Sequence, residues 1–153
     1  MRVWGHPIHP MLVHFPIAFW TVAVGASVLS DAGVGEPAGG IANLANGAGL
    51  IMAMFAMVAG LLELRSIDSG SEAMRVATWH MMIMATGWVC FLLALVLPIS
   101  AEAAMDHSLA PLAAAASAGV GFLLMGIGGW LGGRLVYEFG IGVRDQAKPE
   151  SIE

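Results

Sequence analysis

The sequence predicts an all-α integral membrane protein, an antiparallel bundle of four transmembrane helices. Hydrophobic residues make up 58% of its 153 residues and charged residues only 11%, whereas soluble proteins average about 25% charged. Four apolar segments each reach the roughly 20 residues that a helix needs to cross a bilayer. The connections between them are short, so consecutive helices should pack as antiparallel neighbours.

The apolar segments predict helices at about 10–30, 41–64, 76–97 and 109–133, within a single membrane domain at 1–141. Turn-forming residues fill the connections 31–40, 65–75 and 98–108. The first apolar segment exceeds the 7–15 residues of a typical signal-peptide core, so we expect a retained helix. Residues 142–153 are polar and lack an apolar face, which predicts a tail outside the bundle.

The basic residues predict the orientation of the bundle. All six lie before the first helix, in the connection 65–75, or at and beyond the end of the fourth helix: Arg2, Arg65, Arg75, Arg134, Arg144 and Lys148. The other two connections contain no Lys or Arg, and their acidic residues are Asp31, Glu36, Glu102 and Asp106. By the positive-inside rule both termini are cytoplasmic, in a multi-pass protein of the bacterial cytoplasmic (inner) membrane. The net charge of −5 gives no support to nucleic-acid binding.

Two histidines are expected inside the membrane at similar depth. His14 lies about one turn inside the first helix and His80 about one turn inside the third, and these helices run parallel. Intramembrane ionisable residues suggest a functional site, so the two could form a ligand pair. The alternative is that each is a neutral imidazole hydrogen-bonded to a neighbouring helix.

The ends of the second and fourth helices bring further polar residues to the same side, namely Glu63, Arg65, Arg134, Tyr137 and Glu138. For Glu63 and Arg65 the simpler interpretation is snorkelling to the membrane interface. Tyr137 fits either an interfacial belt or a site. His6 and His9 lie just before the first helix, and His107 is isolated on the opposite side.

Pro16 predicts an irregular start of the first helix. It withdraws one backbone donor and leaves the carbonyl near Leu12 free. Irregular backbone at membrane depth is tolerated where it is buried in protein or lines a cavity, which favours a site here. A simple proline turn is the alternative.

Glycines are concentrated in the fourth helix, where residues 126–133 read GIGGWLGG. The spacing overlays two small-xxx-small pairs, Gly128 with Gly132 and Gly129 with Gly133, which allow close helix approach. Packing within the chain is the first interpretation, and a dimer surface or a flat wall for a planar cofactor are the others.

Three parts of the chain resemble a known family: residues 5–18 (GHPIHPMLVHFPIA), His80, and residues 132–143 (GGRLVYEFGIGV). They resemble domain-of-unknown-function family 2231, a group of small bacterial four-helix membrane proteins. The resemblance covers essentially the whole chain and places His9, His14, His80, Gly133 and Tyr137 at motif positions, without assigning them a role. Some members are joined to Rieske or c-type haem domains, which implies a redox context and a separate redox partner for this chain.

The first functional hypothesis is a membrane electron-transfer protein that binds one b-type haem between the first and third helices. His14 and His80 would be the axial ligands, and Arg65 or Arg134 would neutralise the propionates. Glu63 or the carbonyl freed by Pro16 would orient a ligand imidazole through its second nitrogen. Electrons would pass to or from a redox protein or a quinone.

Two other hypotheses remain open. One is a transition-metal-binding or transport protein that uses the histidine cluster with a carboxylate, the ligand set being His6, His9, His14, His80 and Glu63. The other is a non-catalytic accessory subunit of a larger membrane redox complex, or a homo-oligomer, with the glycine-rich helix as its contact face. No arrangement of nucleophile and base points to an autonomous enzyme.

Overall fold

The computed structural model describes residues 2–3, 6–34, 37–104 and 109–142. It opens with a short antiparallel pair of strands, β1 (Arg2–Val3) and β2 (His6–Pro7). Five helices follow in chain order: α1 (Ile8–Leu12), α2 (His14–Asp31), α3 (Pro37–Leu64), α4 (Glu72–Ala104) and α5 (Ala110–Tyr137).

Four helical segments within the described ranges are long and apolar enough to cross a membrane, α1 and α2 together forming the first. Large apolar side chains cover their outer faces, among them Leu44, Leu112 and Leu123, which are 77%, 70% and 68% exposed. An apolar surface of this extent indicates that the helices are surrounded by lipid. The predicted four-helix membrane fold is therefore confirmed.

The first span is interrupted at Val13, between α1 and α2. Pro16 has no backbone N–H to donate to the carbonyl of Leu12, so α1 ends there. The backbone of Val13 stays near helical angles, with φ −63° and ψ −23°. The predicted irregularity is an interruption of the hydrogen-bond pattern.

Helix α4 runs past Pro98 to Ala104. The expected connection at 98–108 was therefore wrong for its first seven residues. Pro98 removes one donor from the helix, and the alanines and Glu102 that follow are good helix formers. Helix α3 likewise begins earlier than predicted, at Pro37, because proline is favoured in a first helical turn.

The chain folds as two helical hairpins. Helix α2 packs along α3 and α4 packs along α5, whereas contacts between the hairpins are fewer. A central cluster joins the hairpins through Trp20, Leu50, Ala53, Phe91 and Met125. The end of the bundle that holds His9, His80 and the turn at 65–71 is called the histidine end. The opposite end holds Asp31, Gly39 and Pro98, which line a cleft, and it is called the cleft end.

Candidate functional site: a histidine pair between the hairpins

Two histidines from different hairpins lie next to each other at the histidine end. The ring centroids of His9, on α1, and His80, on α4, are 6.4 Å apart, and the ring planes are at 85°. Both side chains are half-buried. One imidazole of each hairpin therefore contributes to a single cluster.

Each ring is fixed by a hydrogen bond to the backbone of the partner helix in its own hairpin. His9 Nδ1 lies 2.7 Å from the carbonyl oxygen of Ala56 on α3, and His80 Nδ1 lies 2.8 Å from that of Gly128 on α5. A carbonyl can only accept, so both Nδ1 atoms carry the hydrogen and donate it. In the neutral imidazole this leaves the Nε2 lone pair as the ligand atom.

Glycines make room for both rings. A Cβ atom added at Gly60 would lie 3.0 Å from His9 Cε1, and one added at Gly132 would lie 3.2 Å from His80 Cε1. Each glycine stands four residues, about one helical turn, after the accepting carbonyl of Ala56 or Gly128. The missing side chain allows the imidazole to approach the helix backbone.

The two hairpins repeat these contacts with a shift of 71 or 72 residues. His9 corresponds to His80, Ala56 to Gly128, and Gly60 to Gly132. The repeat is the sequence signal that identifies His9, because the residue 71 positions before His80 is His9 and not His14.

The correspondence continues in the centre of the bundle. Trp20 of α2 and Phe91 of α4 stack with ring centroids 4.3 Å apart and planes at 7°. Trp20 packs against Gly49, and Phe91 packs against Gly121. Phe91 follows Trp20 by 71 residues, and Gly121 follows Gly49 by 72 residues. Internal repeats of this kind put equivalent residues at the interface between the two halves.

His14 is exposed on the first turn of α2. The sequence analysis paired His80 with His14, but in the structure the ring beside His80 is that of His9. The physical reason lies in helical geometry, since residues five apart on one span point in different directions. The backbone of His6 lies in β2, and its side chain and all of His107 lie outside the described residues.

The other expected site residues lie further out. Arg65 is exposed in the turn after α3, and Tyr137 is 88% exposed at the end of α5, as an interfacial aromatic would be. Glu63 is half-buried on the last turn of α3. Their expected roles as site residues stay predictions.

Arg134 is engaged with the end of its own helix. Its guanidinium forms a bidentate contact with Glu138, Nε lying 3.0 Å from Oε1 and Nη2 2.8 Å from Oε2, and it lies 5.5 Å from the centre of the Trp130 ring. The hydrogen bond from Arg134 holds the pKa of Glu138 below its ordinary value. An anionic ligand at Arg134 would have to compete with this carboxylate.

The glycine-rich run divides between two faces of α5. Gly128 and Gly132 face α4, where they contact Met84 and His80, whereas a side chain at Gly129 would meet open space. Packing within the chain, the first interpretation of these glycines, accounts for Gly128 and Gly132. A side chain at Gly133 would come no closer than 3.9 Å to the Tyr137 ring.

Within the described ranges, no group of three or more His, Cys, Asp or Glu side chains could hold a metal ion. A structural or catalytic zinc site usually takes three or four protein ligands. The described part of the chain therefore offers two imidazoles, which is fewer than the ligands that a metal ion without a cofactor usually takes.

Fold and site together define a four-span membrane protein with a histidine pair between two repeated hairpins. The model of domain-of-unknown-function family 2231, described as a predicted membrane protein, matches residues 5–145. The chain belongs to this family. Neither the curated proteins nor the solved structures gave a match.

Proposed function

We propose that this protein is a membrane electron-transfer protein that binds one b-type haem between its hairpins, with His9 and His80 as the axial ligands. The observation that carries the proposal is the paired orientation of the two imidazoles. Each donates Nδ1–H to a helix carbonyl, which leaves Nε2 as its ligand atom. Metal-bound histidines are usually oriented by this kind of second hydrogen bond.

The separation of the rings supports a shared metal. With metal–nitrogen bonds of about 2.0–2.1 Å, two imidazoles that shared one metal ion would have ring centroids about 6 Å apart or less. The observed value for His9 and His80 is 6.4 Å.

The number of ligands favours haem over a bare ion. A haem supplies the equatorial ligands itself and needs only axial ligands from the protein. Two histidines meet that need, and the described residues provide no cluster of three or more for a bare ion. The sparse contacts between the hairpins favour a planar group between them, because fewer side chains would have to move.

Two axial histidines also favour electron transfer over catalysis. A haem held by His9 and His80 would exchange electrons and would offer its iron to no substrate. The redox partner would be a membrane protein or a lipid-soluble carrier, because four helical segments of the described chain are long and apolar enough to cross a bilayer. We further propose that the histidine end faces the cytoplasm of a bacterium, because the described Arg65, Arg75 and Arg134 lie at that end.

The test is the reduced-minus-oxidised visible spectrum of the protein purified in detergent from haem-replete cells. We expect a Soret band and the sharp reduced bands of a low-spin haem. His9→Ala and His80→Ala should each abolish them, because one axial ligand is lost.

His14→Ala is the matched control, because His14 is exposed on the same span, five residues from His9. It should retain the spectrum. A colourless wild-type preparation would refute haem binding, and a spectrum lost with His14→Ala but kept with His9→Ala would refute the ligand assignment.

A further inference from the structure

A cleft of about 180 Å³ opens between the hairpins at the cleft end of the bundle. It is lined by small apolar residues, one aromatic ring, several polar side chains and one acidic residue, among them Ser27, Asp31, Asn43, Asn46, Phe91 and Ala118. It takes no part in the histidine pair. Along α3, Asn46 lies ten residues, or about 15 Å, from the Ala56 carbonyl that binds His9.

Asn46 is the most informative residue of the cleft. It is only 7% exposed, and its Nδ2 donates to the carbonyl of Phe91 at 3.0 Å. Its Oδ1 is fully buried and has no hydrogen-bond partner in the described structure. A buried acceptor without a donor costs free energy, so its retention suggests that a ligand supplies the donor.

A second acceptor lies one turn along α4. Pro98 has no N–H, so the Ala94 carbonyl lacks its usual helical donor, and both residues line the cleft. Ala94 follows Phe91 by three residues, about 4.5 Å along the helix axis. Asn46 and Ala94 thus bring two acceptors without their usual donors to residues that line the cleft, and both would be satisfied by a donating ligand.

The volume limits the ligand to one ring. A cavity of about 150 Å³ is large enough for benzene, and this cleft is slightly larger. Phe91 provides an aromatic surface against which a ring can pack. Because the surrounding helices are long and apolar enough to cross the bilayer, a ligand that is soluble in lipid fits this surrounding.

We propose that the cleft binds the aromatic ring of a lipid-soluble quinol, whose hydroxyl groups donate to Asn46 Oδ1 and to the Ala94 carbonyl. The chemistry favours the reduced, donating form over the oxidised quinone, which carries only acceptors. This site goes beyond the histidine pair and does not depend on haem binding there.

The test is calorimetric titration of the full-length protein in phosphatidylcholine nanodiscs under anaerobic conditions. The probes are a short-chain ubiquinol, its oxidised quinone and its dimethyl ether, with empty nanodiscs as the partition control. We expect the quinol to bind about tenfold or more tightly than the other two, because they lack the two donors. Equal binding of quinol and dimethyl ether, or no binding above empty nanodiscs, overturns the proposal.

Two substitutions localise the site without touching the buried asparagine. Ala118→Leu fills the cleft and should weaken quinol binding about tenfold, the typical effect of an added clash. Ala116→Leu lies on the same helix but is exposed and does not line the cleft, so it should bind as wild type. An unchanged affinity in Ala118→Leu, in a preparation with wild-type helicity and elution volume, also overturns the proposal.

Asn46→Leu removes the central acceptor and should abolish the preference for quinol over its ether. Should this variant fail to fold, Ala118→Leu still decides the question. The titration is repeated in His80→Ala, where quinol binding should persist because the cleft lies at the other end of the bundle. Loss of haem with retained quinol binding thus separates the two proposals.

Discussion

Gly60 and Gly132 hold equivalent places in the two hairpins, each one helical turn beyond the carbonyl that accepts a histidine hydrogen bond. Neither has a positive φ, so the reason for glycine is space and not backbone conformation. In each hairpin the missing Cβ lets an imidazole lie against the helix. The two glycines therefore leave the space in which the imidazoles of His9 and His80 lie.

Gly60→Ala should weaken haem binding. The new Cβ would lie 3.0 Å from His9 Cε1 and 3.2 Å from Nδ1, so the ring must shift by a few tenths of an ångström, which disturbs its hydrogen bond to the Ala56 carbonyl. Overpacking of this kind costs about 1–3 kcal/mol, so we expect haem affinity to fall about tenfold. The measurement is haem titration of the apoprotein, followed by the Soret band.

Gly129→Ala is the control for this prediction, because a side chain there would meet open space. Alanine is about 1 kcal/mol more favourable than glycine in a helix, so this variant should bind haem normally and be no less stable. Equal haem affinity in Gly60→Ala and Gly129→Ala would show that the glycine does not position His9.

Gly49→Ala should destabilise the centre of the bundle. Its Cβ would lie 2.7 Å from two atoms of the Trp20 indole, a ring that is 1% exposed and stacked on Phe91. Because the indole is almost completely buried, we expect a loss of about 1–3 kcal/mol in the free energy of unfolding. Unfolding by SDS in mixed micelles measures it.

Gly47→Ala, two residues away, meets nothing within 4 Å and should be neutral or slightly stabilising. Trp20→Phe in the Gly49→Ala background should recover part of the loss, because the smaller ring relieves the contact. Additive effects of the two substitutions would argue against a direct clash.

The fold was predictable because composition and segment length alone determine four spans. The helix ends were less predictable, since Pro98 marks a break in most soluble sequences but is tolerated inside α4. Pro98, which was expected to end the helix, removes only one hydrogen bond from a helix that continues to Ala104.

The partner of His80 was not identified by depth alone. Depth along the helices made His14 the candidate, but depth says nothing about which way a side chain points. The repeat of His9 with His80 and of Gly60 with Gly132 carries that information in the sequence, at a constant shift of 71 or 72 residues. The unpartnered Oδ1 of Asn46 has no comparable signal, because only the packed structure shows that no donor reaches it.

Trp88→Phe should loosen the contact between the hairpins. Trp88 Nε1 on α4 donates to the Leu50 carbonyl on α3 at 3.1 Å, one of the bonds that connect the two halves. Deleting it should lower the free energy of unfolding by about 0.5–1.5 kcal/mol. Trp79→Phe is the control, since Trp79 is 56% exposed on the same helix, and a loss as large as that of Trp88→Phe would contradict the assignment.

The orientation of the bundle can be tested with single cysteines in a Cys90→Ala background expressed in bacteria. Val34→Cys and Ser69→Cys lie at opposite ends of the bundle and are both exposed. If the basic end is cytoplasmic, a membrane-impermeant maleimide should label Val34→Cys in intact cells and Ser69→Cys only after permeabilisation. The reverse pattern would overturn the proposed orientation.

Arg134→Gln should raise the pKa of Glu138 toward its ordinary value, because the hydrogen bond from Arg134 is the main cause of its lowering. A carboxyl whose pKa is lowered in the folded state contributes stability above its unfolded pKa and loses that contribution as pH falls through the folded pKa. Because Glu138 is exposed, the effect on stability should be small, and the direct measurement is the ¹³C chemical shift of its carboxyl carbon against pH. Arg65→Gln is the control, because Arg65 lies in the exposed turn after α3, and it should leave the titration of Glu138 unchanged. An unchanged titration of Glu138 in Arg134→Gln would show that the bidentate contact does not lower the pKa of Glu138.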